Sequence, residues 1–175
     1  MGEVHDPRHE GGLSVAAATP PSTQDLADLV YREARLIDEK RFEEWYELFT
    51  DDALYWMPLA RDQPVGEAHT SLFYEDKLLL KVRIERLRHP NAFSQQQPSY
   101  CQHVMQQPAL VESGAQECVL RTPFLYVEAQ LDQQIVLAGV AIHHLQNHAQ
   151  GWKIKMKKIE LLNREAALPS IQLLL

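Results

Sequence analysis

Two short segments of this sequence carry the residue types that could bind an iron–sulfur cluster. Cys101-Gln-His103 is followed by Cys118-Val-Leu-Arg121, and this spacing is close to that of a Rieske centre. Such a centre needs two thiolates on one iron and two imidazoles on the other. Arg121 occupies the position of the second imidazole, and its guanidinium is a permanent cation that cannot bind iron. We therefore predict that both cysteines are small core residues and that this chain holds no cluster.

Two adjacent histidines, His143 and His144, could contribute to a mononuclear iron or zinc site. A facial triad places two imidazoles and one carboxylate on a single metal ion. Both residues fall in an apolar segment that predicts a strand, where neighbouring side chains point to opposite faces. They cannot reach one metal without a bulge, so we predict that this chain provides no metal ligands.

A third possibility is general acid–base chemistry by Tyr31, Asp38, Tyr55 and His103. An enclosed histidine could act as the general base, and an enclosed aspartate could orient it. Asp38, however, lies in the charged run 38–41, which is typical of solvated pairs at a helix end. Tyr31 and Tyr55 are equally typical of core aromatic residues. Independent catalysis by these four residues is therefore kept as the alternative to a chain with no catalytic residues.

The composition indicates one globular domain with an acidic surface. The 175 residues are 45% hydrophobic and 23% charged, and the formal net charge is −7. A chain of this length can bury a core without disulfides, and its charge repels nucleic acid. No apolar run approaches the roughly 20 residues of a membrane span. The first residues do not resemble a signal peptide, and two cysteines fit a reducing compartment, so we expect a cytoplasmic protein.

Hydrophobic periodicity divides the chain into an arm, a helical part and a strand-rich part. Residues 1–22 are rich in small and polar residues, which predicts a flexible N-terminal arm before a single domain over residues 23–175. Ser22 has the position of a helix N-cap. We predict helices over about 24–40, 41–49 and 74–88, and strands over about 53–58, 101–112, 117–131, 134–147 and 152–162.

This order of elements predicts an α+β fold in which an antiparallel sheet curls around three helices. Along the last strand, simple alternation puts the apolar residues on one face and Lys153, Lys155 and Lys157 on the other.

Two features predict contacts with other subunits. The third helix carries a set of basic residues that could dock carboxylates of another chain: Lys77, Lys81, Arg83 and Arg86. The sequence also ends on Leu173, Leu174 and Leu175, whose apolar surface must be covered. These leucines either fold back on the domain or pack in a subunit interface, and we take them as interface candidates.

Four segments resemble the β (small) subunits of aromatic-ring-hydroxylating dioxygenases, within the wider nuclear-transport-factor-2-like superfamily. They are VYREARLIDEKRFEEW at 30–45, LFTDDALYWMP at 48–58, EDKLLLKVRIERLR at 75–88, and GWKIK with KIELLN at 151–163. The resemblance extends over roughly residues 25–175.

The resemblance implies a cone-shaped curved sheet and an α3β3 assembly in which this chain also associates as a trimer. It further implies that the Rieske 2Fe–2S cluster and the mononuclear iron lie in the partner α subunit, and that this chain itself is non-catalytic. The same superfamily includes dehydratases and isomerases, so a stand-alone enzyme of that type is the alternative expectation for Tyr31, Asp38, Tyr55 and His103.

Overall fold

The computed structural model describes residues 22–66, 68–89 and 97–175. The predicted arm therefore lies outside the described residues except for Ser22. The described residues form three helices, α1 (Thr23–Asp38), α2 (Phe42–Glu47) and α3 (Lys77–Arg88). They also form seven strands: β1 (Phe49–Pro58), β2 (Ser71–Asp76), β3 (Tyr100–Met105), β4 (Ala109–Ser113), β5 (Glu117–Gln130), β6 (Gln133–His148) and β7 (Gly151–Leu161).

One mixed sheet contains all seven strands. Its order is β2-β1-β7-β6-β5-β3, and β4 pairs with β5 on the same side as β3. Every pairing is antiparallel except that of β1 with β7, where Phe49 lies beside Ile154. Parallel neighbours need a long crossover connection, and here the rest of the domain provides it. The predicted α+β class is confirmed, with this parallel pair as the difference from a purely antiparallel sheet.

The first helix follows the sequence signals closely. The Ser22 hydroxyl accepts a hydrogen bond from the backbone N–H of Asp25 at 3.1 Å, as an N-cap does. Leu26, Val30 and Ile37 recur at helical spacing, and all three are fully buried. α1 thus presents one apolar face to the inner face of the sheet.

The third helix begins later than predicted, because residues 74–76 belong to a strand. In β2, Tyr74 pairs with Trp56 and Asp76 pairs with Leu54. Asp76 then caps α3, since its carboxylate accepts from the backbone N–H of Leu79 at 2.8 Å. The prediction missed β2 because its six residues lie next to a helical pattern and include charged positions.

The predicted strand over 101–112 is two strands, β3 and β4. Between them the chain leaves the ladder, where Gln106 donates its backbone N–H to the carbonyl of Pro123 and Pro108 has no N–H to donate. Irregular pairing interrupts β1, β4 and β7, and such bulges bend a sheet. The curved inner face surrounds the helices and a core built on Trp45, Phe49 and Tyr55.

None of the helices in the described part of the chain has the length and apolar character required to cross a membrane.

Candidate functional site

The interior of the domain contains a buried ion pair between the first helix and the last strand. Glu33 on α1 and Lys157 on β7 are both almost inaccessible to solvent. The Lys157 ammonium donates to both carboxylate oxygens of Glu33, at 2.7 and 2.9 Å. The indole N–H of Trp45 donates to the same carboxylate, and His143 Nε2 lies 3.6 Å from it. Four elements, α1, α2, β6 and β7, thus meet at one carboxylate.

The sequence-based placement of Lys157 on the face opposite the apolar residues of this strand is wrong, and a β-bulge explains why. His144 pairs with Met156, but the next residue, Leu145, pairs with Ile154. Lys155 is therefore an extra residue in the ladder, and it reverses the alternation of side chains beyond it. Because of this reversal, Lys157 points into the core.

Electrostatics keep the Glu33 carboxylate ionised despite its burial. Burial alone would raise its pKa, but the Lys157 ammonium and then His143 oppose this and lower the pKa to about 2. Burial lowers the pKa of His143, which favours a neutral imidazole beside the ion pair. A carboxylate that is already paired and hydrogen-bonded is a poor proton carrier at neutral pH. We interpret this ion cluster as a structural element of the core.

Glu33 was not among the residues predicted from the sequence, although its position contained a signal. Counting from Leu26 and Val30, position 33 falls on the buried face of the helix. A carboxylate on that face must find a buried partner. The partner Lys157 could not be identified, because the bulge at Lys155 is not visible in the sequence.

A second polar group joins the end of α1 to the edge strand β3. Asp38 accepts from the backbone N–H of His103 at 3.0 Å and from the Gln102 side-chain amide at 2.8 Å. Its Oδ1 also lies 2.7 Å from His103 Nδ1. These contacts make Asp38 an anchor for β3, rather than a member of a solvated charged run. The thiol of Cys101 faces the same carboxylate, and burial together with Asp38 raises the pKa of this thiol to about 12.

The four residues of the acid–base hypothesis do not share one cavity. Tyr31, Asp38 and His103 line an open groove of about 420 Å³ between α1 and β3. Tyr55 is fully buried, and its hydroxyl is occupied by the backbone of Leu175, which it both donates to and accepts from. Burial raises the pKa of Tyr55, so this phenol stays protonated. Asp38 and His103 are thus in contact beside this groove, whereas Tyr55 does not line it.

The residues considered as metal ligands make other contacts. Cys118 donates to the carbonyl of Gly114, and Arg121 lies on the outer face of β5. His143 is buried in the core, whereas His144 lies on the opposite face, as strand alternation predicts. Across residues 22–66, 68–89 and 97–175, no three His, Cys, Asp or Glu side chains are grouped to hold a metal ion.

The three C-terminal leucines lie inside the domain instead of on its surface. Leu173, Leu174 and Leu175 are all buried and belong to the main core cluster. The carboxylate of Glu128 accepts the backbone N–H groups of Gln172 and Leu173, which fixes the segment in place. The sequence left two possibilities for these leucines, folding back on the domain or packing in a subunit interface. In the structure the segment folds back on its own domain. Its side chains are therefore not available to a neighbouring subunit in this conformation.

Two of the four basic residues proposed for subunit contacts are already paired within the chain. Lys77 donates to the carbonyl of Phe49 and to Asp51, and Arg83 forms an ion pair with Glu75. The side chains of Lys81 and Arg86 are exposed and form no ion pair or hydrogen bond within the described part of the chain. Only Lys81 and Arg86 thus remain free to meet another subunit.

Comparisons with known proteins agree on one family. A family model described as "Ring hydroxylating beta subunit" matches residues 32–166. The small oxygenase component of the p-cumate 2,3-dioxygenase system of Pseudomonas putida is 28% identical over 160 residues, which cover 85% of this chain and 88% of that protein.

Solved structures show the same fold. The β subunit of benzoate 1,2-dioxygenase from Burkholderia mallei ATCC 23344 superposes with a TM-score of 0.72 at 21% identity, covering 88% of this chain and 97% of that one. An NTF2-like protein with a cystatin-like fold from Novosphingobium aromaticivorans superposes with a TM-score of 0.57 at 15% identity, covering 80% of this chain and 81% of that one. At these identities the two likenesses concern the fold alone.

Proposed function

The chain belongs to the β subunits of aromatic-ring-hydroxylating dioxygenases, and on that premise we propose that it is the scaffold on which an iron-bearing α subunit assembles. The complex would contain three chains of each kind, with the β chains associated as a trimer. The Rieske 2Fe–2S cluster and the mononuclear iron would lie in the α subunit. That subunit would add both atoms of O2 to an aromatic ring, with electrons from NADH that arrive through a redox partner, in the cytoplasm.

The packing of the described core residues is the observation that carries this proposal. In an enzyme of this fold, a pocket with convergent polar groups would be expected inside the curved sheet. Here Leu173, Leu174 and Leu175 occupy the core together with Tyr55, and the interior charges of Glu33 and Lys157 neutralise each other. These contacts stabilise the domain. Family membership and the packing of these described core residues therefore both favour a scaffold over a stand-alone dehydratase or isomerase.

One surface of α3 has the chemistry of a docking site for the α subunit. Leu78, Leu79 and Val82 are all exposed, although leucine and valine are normally buried. Lys81 and Arg86 lie among them without partners in the described residues. We call these five residues the α3 face. An apolar centre with two unpaired cations fits a partner surface that is apolar and carries carboxylates at its rim.

Co-expression with an α subunit of the same dioxygenase family tests the proposal. Wild-type chain should co-purify with the α subunit in a stable complex that contains iron. The double variant Leu78→Asp/Arg86→Glu should reduce recovery of the α subunit by about tenfold or more, because it places charge in the apolar centre and reverses a rim charge. A matched control, Val65→Asp/Arg61→Glu, makes the same change of net charge in an exposed loop and should leave recovery unchanged.

Two results would count against the proposal. If wild-type chain and the α subunit purify separately, the scaffold function is wrong. If the α3 variant and the loop control retain the α subunit equally, the α3 face is not the docking site.

A further inference from the structure

The turn after β7 contains a buried arginine whose charge is not paired. Arg164 is 8% exposed, whereas Asn163 and Glu165 on either side of it are exposed. Its Nη1 donates to the carbonyl of Leu161 at 3.3 Å, and its Nε is buried with no hydrogen-bond acceptor among the described residues. No carboxylate in the part of the chain that the structure describes forms an ion pair with Arg164.

An unpaired cation in this position is costly, because burial removes its hydration without supplying a counter-charge. Lys157 shows the contrast, since this buried cation donates to both carboxylate oxygens of Glu33. The carboxylate next to Arg164 in the chain does not compensate it. Glu165 instead accepts the backbone N–H of Arg61 at 3.2 Å. The guanidinium of Arg164 therefore keeps its capacity to bind an anion.

The free edge of this guanidinium fits a carboxylate. Leu161 occupies Nη1, so the Nε–H and the Nη2 group on the other edge remain for a ligand. These two donors lie side by side in one plane and match the two oxygens of a carboxylate in a bidentate pair. Because residues 162, 163 and 165–167 around Arg164 are all exposed, this edge lies just beneath the surface of the domain.

An apolar groove of about 310 Å³ lies beside the same turn. Ala166 lines the groove and is two residues from Arg164, so their Cα atoms are at most about 7 Å apart. The backbone N–H of Ala166 donates to the carbonyl of Asn163 at 2.9 Å, which closes the turn around Arg164. This volume is at the lower end of the range of small-molecule sites. The other lining residues are all apolar: Leu59, Leu72, Phe73, Leu168, Pro169 and Ile171.

We propose that Arg164 and this groove form a binding site for a small monocarboxylate with an apolar body. The carboxylate pairs with the free edge of Arg164, and the hydrocarbon lies along the groove against side chains such as Phe73 and Leu168. The inference goes beyond the scaffold function and does not depend on it, because none of these residues belongs to the α3 face. It gives the chain a small-molecule site of its own.

Isothermal titration calorimetry and thermal unfolding of the full-length chain test this site, with hexanoate as the probe. Acetate supplies the carboxylate without the apolar body, and 1-hexanol supplies the apolar body without the charge. Hexanoate should bind with a stoichiometry of one per chain and raise the thermal midpoint as its concentration increases. Acetate and 1-hexanol should each bind at least about tenfold more weakly, because each lacks one half of the interaction.

Variants of Arg164 test the cation. Arg164→Met keeps most of the side-chain volume and should weaken hexanoate binding by about thirtyfold or more. Without ligand, its thermal midpoint should equal or exceed that of wild type, because no counter-ion loses its partner. Arg164→Lys keeps the charge without the planar fork and should bind hexanoate about tenfold more weakly than wild type. The matched control is Arg121→Met, at an exposed arginine with no ion-pair partner in the described residues, and it should bind like wild type.

A variant of Ala166 tests the groove separately. Ala166→Trp fills part of the groove from an exposed position. It should lower the affinity for hexanoate toward that for acetate and leave acetate binding unchanged. This comparison remains informative if Arg164→Met does not fold.

Four outcomes would overturn the inference. The first is a wild-type chain that binds hexanoate no more tightly than acetate. The second is an Arg164→Met chain that binds hexanoate as tightly as wild type. The third is an Arg164→Met chain that loses as much stability as Lys157→Met, which would mean that the cation has a partner inside the domain.

The fourth is an Arg164→Met chain that no longer retains the α subunit, which would assign this cation to a carboxylate of that subunit. A failure of the scaffold proposal is distinguishable from all four, because it requires that the wild-type chain and the α subunit purify separately.

Discussion

The buried ion pair between Glu33 and Lys157 allows a quantitative prediction. Replacing Lys157 with methionine keeps most of the side-chain volume but leaves the Glu33 carboxylate without its cation in the core. Breaking a buried pair by removing one partner costs about 3–5 kcal/mol. The pKa of Glu33 gives a similar magnitude, because a decrease from 4.5 to about 2 corresponds to about 3 kcal/mol of stability.

The expected result for Lys157→Met is a decrease in thermal midpoint of about 10 °C, since 1 kcal/mol shifts a domain of this size by about 2–4 °C. The double variant Glu33→Gln/Lys157→Met removes both charges and keeps an acceptor for the Trp45 indole. It should recover most of the lost stability. Lys153→Met, at a lysine on the same strand with no ion-pair partner in the described residues, is the control and should change the midpoint little.

Between pH 7 and the acidic range, the change of folding stability with pH should have opposite signs in wild type and in Lys157→Met. In wild type the pKa of Glu33 is lower in the folded state, so its stabilising contribution is present above about pH 4.5 and is lost as the pH falls toward 2. In Lys157→Met the unpaired carboxylate beside His143 favours uptake of a proton on folding. That variant should therefore become more stable as the pH falls from 7 to 5.

Urea unfolding at pH 5, 6 and 7 measures both the loss of stability in Lys157→Met and the change of its stability with pH. A Lys157→Met protein that unfolds at the wild-type urea concentration at pH 7 would refute the assignment of a buried ion pair. A double variant as unstable as Lys157→Met would also contradict it, because the cost would then not come from the uncompensated carboxylate.

Four further predictions concern other parts of the chain. Deleting residues 171–175 should lower the thermal midpoint by more than 10 °C without changing the mass of the assembly, because burial of three leucines contributes on the order of 5 kcal/mol; a smaller assembly at unchanged stability would contradict the intramolecular position. Asp38→Asn should cost about 1–3 kcal/mol in urea unfolding by weakening the contacts to β3, and an effect no larger than that of Glu39→Gln would argue against the anchor. A chain that starts at Pro21 should keep its midpoint within a few degrees in calorimetry, whereas a large decrease would mean that the arm packs on the domain or on a neighbour. Untagged isolated chain should contain no stoichiometric iron or zinc by elemental analysis, and one tightly held metal per chain would refute this.

The sequence predicted the helical half and the long strands because their signals are local. The N-cap at Ser22 and the apolar spacing of α1 depend only on residues within one or two turns. β5 and β6 were likewise recognisable from long apolar segments bounded by turns. Features that depend on pairing with distant strands were not predictable in this way, and they include β2 and the parallel contact of β1 with β7.

The interior was the least predictable part, since one extra residue in β7 determines which side chains of that strand point into the core. The extra residue at Lys155 turns Lys157 into the core, and nothing in the local sequence marks that bulge. Asp38 and His103 were considered separately as catalytic candidates. Their contact depends on β3 packing against the end of α1, a tertiary relation across 65 positions. The C-terminal leucines were correctly recognised as needing cover, but only the fold shows that their own domain provides it.

The composition of the complex can be measured by native mass spectrometry after purification without a tag, followed by iron analysis of the separated chains. We expect equal numbers of this chain and a larger α subunit, with three of each, and iron only in the α subunit fraction. Iron retained by this chain, or a chain that purifies without any larger subunit, would contradict it.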